Sequence, residues 1–173
     1  SDVTDARWLA DLLAHGLVRP SFVPPAAQQA LRELTRTRKQ LVRERTAHTQ
    51  RIQKLLESAN VKLGSVLTDV LGPSGRAIVE GLVEGATDAE RLADRLHARS
   101  QAKRPAVVAA LHGARLQPHQ RVLLRQHLTL IGSVEASVAA IEAEIATALE
   151  AFRGAVERLV TVPGISTTAA AVI

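Results

Sequence analysis

Apolar side chains recur every seventh residue at Leu124, Ile131, Val138, Ile145, Phe152 and Leu159, with mixed partner positions at Leu128, Val134, Ile141, Leu149 and Val156 that shift between the third and fourth residue after each. A repeat of this kind lays one apolar stripe along a helix. It predicts a coiled coil or long bundle helix from Pro118 to about Thr161. Gly132 and Gly154 weaken that helix by about 1 kcal/mol each. A second seam follows the same three-four rhythm through Leu31, Leu34, Arg38, Leu41, Arg45, His48, Ile52 and Leu55. Its ends are apolar and its middle is basic. Neither Gly nor Pro interrupts residues 26–60, which predicts one long helix with Asn60 as its C-terminal cap. The two long helices can pair antiparallel, or a second copy of the chain can supply the partner. Because the later seam looks too long for one small domain to cover, self-association through the long C-terminal helix is favoured.

Shorter elements fill the rest. Trp8, Leu9, Leu12 and Leu13 mark one buried face of a helix over about 5–15, with Thr4 as N-cap and Gly16 beyond its end. Three prolines make Leu17 to Pro25 an extended connection. Residues 61–116 are punctuated by glycine and proline and predict short helices, one opened by a Thr87/Glu90 capping box and running to about Arg99. The fold class is therefore all-α: long antiparallel, coiled-coil-like helices with short connecting helices.

Composition narrows the function. Trp8, Phe22 and Phe152 are the only aromatics, which excludes modules that stack bases on an aromatic sheet. Without cysteine there is no thiolate metal site and no cysteine nucleophile. No apolar run reaches the roughly 18–20 residues of a membrane span, and no signal peptide is evident, so a cytoplasmic protein with no membrane partner is expected. The absence of methionine and the close on an apolar run read as an interior piece of a longer protein.

The formal charge is +5, and residues 24–60 hold eight basic and three acidic side chains, a net +5 on their own. Arg32, Arg36, Arg38, Lys39, Arg43, Arg45, Arg51 and Lys54 wrap around the predicted helix, so some stay exposed whichever face packs. Arginine's planar fork suits phosphate, and these eight are candidates for nucleic-acid contact. The alternative is a solvated helix whose arginines reflect codon bias.

Two further constellations carry candidate chemistry. Asp2 and Asp5 stand three apart at a helix start, where their carboxylates share a face and suit a hard cation; equally, they stabilise the helix dipole. Val162-Pro163-Gly164-Ile165-Ser166 outlines the turn of a helix-hairpin-helix, whose amides at Gly164 suit a DNA phosphate. Ser166 stands where such turns usually carry a second Gly, and a plain structural turn fits as well. The six histidines form no i, i+3 or i, i+4 pair, which argues against zinc.

The block Ser1-Asp2-Val3-Thr4-Asp5-Ala6-Arg7-Trp8, continuing through His15-Gly16 to Phe22-Val23-Pro24, resembles the DEDD insertion-sequence transposases, the family numbered one hundred and ten, which also includes the Piv-type DNA invertases. The likeness extends through residues 31–45 and 53–63 and returns over 159–173. It implies an N-terminal RuvC-like α/β domain with four acidic ligands for Mg²⁺, a coiled-coil insertion and a C-terminal domain with a catalytic serine. Asp2 and Asp5 match the last two acids of that set, and the first two would lie upstream. The catalytic serine would lie downstream, so Ser166 is not it. On this resemblance residues 1–60 are the tail of the RuvC-like domain and the basic helix, 61–158 the coiled-coil region, and 159–173 the start of the transposase domain. The implied role is the central fragment of a bacterial recombinase that moves an insertion sequence, with DNA and a structured guide RNA as partners. A non-catalytic helical module for nucleic-acid binding or dimerisation is the competing reading.

Overall fold

The computed structural model describes residues 2–19 and 21–170. Ser1 of the acidic block, Pro20 of the extended connection and residues 171–173 of the final apolar run lie outside the described residues. Among the described residues the regular structure is helical: α1 (Asp2–Ala14), α2 (Ala26–Ser58), α3 (Leu63–Val66), α4 (Pro73–Glu84), α5 (Ala89–Ala93), a 3₁₀ turn (Ala98–Lys103), α6 (Arg104–Leu111), α7 (Pro118–Glu150), α8 (Arg153–Val160) and α9 (Thr167–Ala170).

The two longest helices, α2 and α7, pack against each other along their seams within the chain. They run antiparallel: Arg38 meets Glu142, Arg45 meets Glu135, and Ser58 meets Gln120. The partner of the α7 seam is therefore α2, and the expected self-association is not needed to cover it. Leu31 and Ile52 are buried near the ends of the α2 seam, and Leu124, Ile131 and Ile145 along α7. Beyond this pair, α3 to α6 wrap the C-terminal end of α2 and the first half of α7. Ile78, Leu92, Val107 and Leu111 join Ile52, Leu56, Leu124 and Ile131 there in one apolar core.

The basic middle of the α2 seam is matched rather than avoided. Arg38 Nε donates to Glu142 Oε1 at 2.7 Å. Arg45 Nε donates to one oxygen of Glu135 at 2.8 Å, while Arg76 Nη1 of α4 donates to the other at 2.8 Å. Burial alone would raise the Glu135 carboxyl, but the hydrogen bonds and charges of Arg76 and Arg45 together hold it below the ordinary carboxylate range. Half-buried His48 and His127 face each other one step further along, Nδ1 to Nδ1 at 3.0 Å.

Helix ends follow local chemistry. At the end of α2, Asn60 adopts φ 57°, its N–H donates to Glu57 O, and the Val61 N–H donates to Leu56 O. This pair of bonds closes the helix as the Asn60 cap predicts. Gly75 is required by a close approach, because a Cβ there would lie 2.2 Å from Val70 O. Three boundaries differ from expectation. Helix α1 begins at Asp2, so Thr4 lies inside it. Helix α5 is capped by Asp88, whose carboxylate accepts from the Glu90 and Arg91 amides, and it ends at Ala93 rather than near Arg99. The long C-terminal helix stops at Glu150; of the seven-residue repeat, Phe152 lies in the turn as the N-cap of the separate helix α8, and Leu159 lies on α8. Gly154, a poor helix former, adjoins that break.

The expected buried face of α1 is open. Helix α1 buries none of its residues, Trp8 is 61% exposed and Phe22 in the connection 75%. No apolar face among the described residues covers it.

The seam makes two measurable predictions. Replacing half-buried Val138 and buried Ile145 together by Asp sets two charges against α2, at a cost of up to several kcal/mol. Urea unfolding followed by circular dichroism should shift to markedly lower midpoints, and an unshifted midpoint would contradict the pairing. The second concerns pH. Burial, then the charges of His48 and Arg51, push the His127 imidazole below its ordinary value of 6.5. On acidification the unfolded chain protonates first, so this contribution is complete above about pH 6.5 and is lost as pH falls below it. The melting temperature should drop between about pH 7 and 5, and drop less in His127→Leu. An identical drop in both proteins refutes the assignment.

Candidate functional site

Pairing of α2 with α7 sorts the eight basic side chains by face. Arg38 and Arg45 lie in the seam and are neutralised by Glu142 and Glu135. Arg32, Arg36, Lys39 and Arg43, at spacings of four, three and four, form a stripe on the opposite side of the helix, and Lys54 falls in register eleven residues on. Arg36, Lys39, Arg43 and Lys54 are exposed and Arg32 is half-buried. Arg51 is exposed to one side of the stripe. No ion pair engages these six cations among the described residues. From Arg32 to Arg43 the stripe extends about 16 Å at 1.5 Å per residue. That length matches about five phosphates at the 3.4 Å rise of one strand.

The hairpin near the C-terminus is formed. Helix α8 ends at Val160, the Ile165 N–H donates to Val162 O at 3.1 Å, and α9 begins at Thr167. Gly164 takes φ 90°, a conformation that side-chain-bearing residues rarely adopt, on an exposed turn. Ser166 explains its own presence where a second Gly is usual. Its Oγ accepts from the Ala169 N–H at 3.2 Å and its carbonyl from the Ala170 N–H at 2.8 Å, so it caps α9. Residues distant in sequence meet here: Lys39, Val42 and Arg43 of α2, Ile145 and Leu149 of α7, and Thr167 and Thr168 of α9 line one cavity of about 520 Å³.

Asp2 and Asp5 occupy the first turn of α1, three apart and both exposed. Two carboxylates on one face fit two positions of an oxygen-ligated cation site. No group of three or more His, Cys, Asp or Glu that could hold a metal occurs among the described residues. Two carboxylates alone are too few ligands to support a phosphoryl-transfer step.

Residues 1–61 match the family model described as Transposase, of the DEDD insertion-sequence type. Over these 61 residues the chain is similar to the DEDD-type transposases. The matched segment comprises α1 with its acidic pair, the proline-rich connection, and all of α2 with its basic stripe. No curated protein and no solved structure matches the chain. No helix among the described residues is long and apolar enough to cross a membrane.

Sequence reasoning missed the His48–His127 contact, the reach of Arg76 to Glu135, and the cavity against α9. His48 was on the α2 seam, but only the register with α7 reveals its partner. With two exposed carboxylates and no third ligand grouped with them among the described residues, calorimetric titration of this chain with Mg²⁺ should show no micromolar binding. Micromolar affinity lost in Asp5→Ala would mean that a complete site exists.

Proposed function

We propose that this chain is the central part of a DNA transposase that moves an insertion sequence, and that its α2 stripe holds nucleic-acid backbone. The observation that carries the reading is the transposase match over residues 1–61, because that segment contains both the acidic pair and the stripe. Recombination handles polyanionic strands, and Arg32, Arg36, Lys39, Arg43 and Lys54 offer donors unengaged by acids along one face. Such contacts position a strand without reading its sequence. Either DNA or a structured guide RNA presents the phosphates that the stripe would take. The hairpin at Gly164 offers a second point for a phosphate.

Asp2 and Asp5 would be this chain's contribution to the acidic set for Mg²⁺, an ion that stabilises charge on phosphoryl oxygens when a set is complete. The uncovered apolar face of α1 fits this reading, since the tail of a RuvC-like domain needs the rest of that domain to bury Trp8, Leu9 and Leu13. Residues 1–60, 61–158 and 159–173 would then serve as domain tail with basic helix, helical insertion, and start of the transposase domain. Self-association also belongs to the proposal. With the α7 seam filled by α2, exposed Leu123 and Leu130, seven apart on α7, are the positions that a second copy would cover.

Salt tests the central claim. Affinity for a labelled strand should fall steeply as salt rises, with little sequence preference. Charge reversal of Arg36, Arg43 and Arg51 to Glu should weaken binding throughout, while Arg45→Ala should lower thermal stability with a smaller effect on binding. Undiminished binding by the triple reversal would leave the stripe a solvated surface. In the full transposase, Asp5→Ala should abolish recombination.

A further inference from the structure

We propose that the cavity between α2, the end of α7 and the start of α9 seats one unpaired base of a single strand, with Lys39 and Arg43 on the adjoining phosphates. The inference rests on the nucleic-acid reading above and adds a subsite to it. About 520 Å³ falls within the roughly 300–1,000 Å³ of small-ligand sites. Val42, Ile145 and Leu149 supply an aliphatic wall, and the apolar face of an unstacked base packs against such side chains.

The polar groups around that wall are divided between engaged and available. Glu142 is the acid of the lining, and its charge is met by Arg38 at 2.6 Å. Thr35 directs its hydroxyl to Leu31 O and Arg32 O, at 2.9 and 3.1 Å. Lys39 and Arg43 have no ion pair among the described residues and also belong to the basic stripe. A strand lying along that stripe therefore passes the mouth of the cavity. Thr167 and Thr168 bring hydroxyls, each able to donate and accept, to the side from which a base edge would be read.

Charge decides the occupant. An apolar helix or peptide would cover the aliphatic wall but leave two cations facing it. A nucleotide satisfies both parts, with its base on the wall and its phosphates on Lys39 and Arg43. A duplex keeps its bases stacked and offers the cavity nothing, so the site selects single strands or extruded bases.

The test uses the whole chain and a short single strand, in DNA and RNA versions, with 2-aminopurine at its centre, beside the matching duplex. The single strand should bind about tenfold more tightly than the duplex, and 2-aminopurine emission should rise as the base leaves its stack. The DNA and RNA versions show which strand is preferred. Val42→Gln with Leu149→Gln should remove the emission rise and the preference while leaving the salt dependence unchanged. Val42→Gln alone, at an exposed position, serves if the double variant loses helix by circular dichroism. Lys39→Gln with Arg43→Gln should instead flatten the slope of log affinity against log salt by about 1.4, the value for two phosphate contacts on a single strand.

Salt-dependent binding with no emission rise, or with a rise that survives Val42→Gln, overturns the base seat and leaves the stripe standing. Dimerisation that Val42→Gln abolishes overturns it in favour of a second copy. Failure to bind any strand at low salt overturns the nucleic-acid reading itself.

Discussion

The carboxylate of Glu135 ties together three helices, with Arg45 of α2 on one oxygen and Arg76 of α4 on the other. A two-helix seam of leucines tolerates sliding, because every apolar layer resembles the next. Charged layers do not: a shift by one turn would leave half-buried Arg45 and Glu135 unpaired, a penalty that solvent only partly relieves. Arg38 with Glu142 repeats the constraint seven residues away on both helices. The register so fixed brings the apolar end of α2 to Leu124 and the cluster of short helices.

The His48–His127 pair belongs to the same register and acts differently. Two ring nitrogens 3.0 Å apart share a single proton, one donating and the other accepting. The contact is therefore satisfied only while at least one ring is neutral. Arg51 adds positive charge beside it, and the nearby acid, Glu135, already serves two arginines. Acid weakens this layer while the Arg–Glu layers persist until their carboxylates protonate, so the seam softens first between Arg45 and Ile52.

Periodicity made the long elements legible. Seam positions 31 to 55 of α2 are all buried or half-buried, including the arginines whose presence in a seam looked anomalous. Asn60 and the Pro163–Gly164 turn were equally readable, since each reflects a local backbone preference. Tertiary choices were not. The break at Ala151 and Phe152 is invisible to a heptad that continues without a fault through Leu159, because spacing along the chain is the same across a turn as within a helix. Asp88 displaced Thr87 as cap by a difference of one residue. The open face of Trp8 and Leu13 reads as buried from periodicity alone, because amphipathic spacing reports that a face can pack and not what packs on it. In the site, residue types marked the basic helix, but only the fold separates Arg38 and Arg45 from the cations that stay outside.

That separation has an electrostatic consequence. Eight cations distributed around a lone helix would attract phosphate from every direction and orient nothing. By matching Arg38 and Arg45 to acids of α7, the seam removes positive charge from one side and leaves a directional stripe on the other. The same pairing sets the end of α7 beside Lys39 and Arg43, and α9 packs on that end through the α8–α9 hairpin. The hydroxyls of Thr167 and Thr168 thus come to lie beside cations nearly 130 positions earlier in the chain. A substitution at Glu142 would therefore act twice. It would leave Arg38 half-buried without its acid, and it would loosen the layer that holds α7 in place to form the wall.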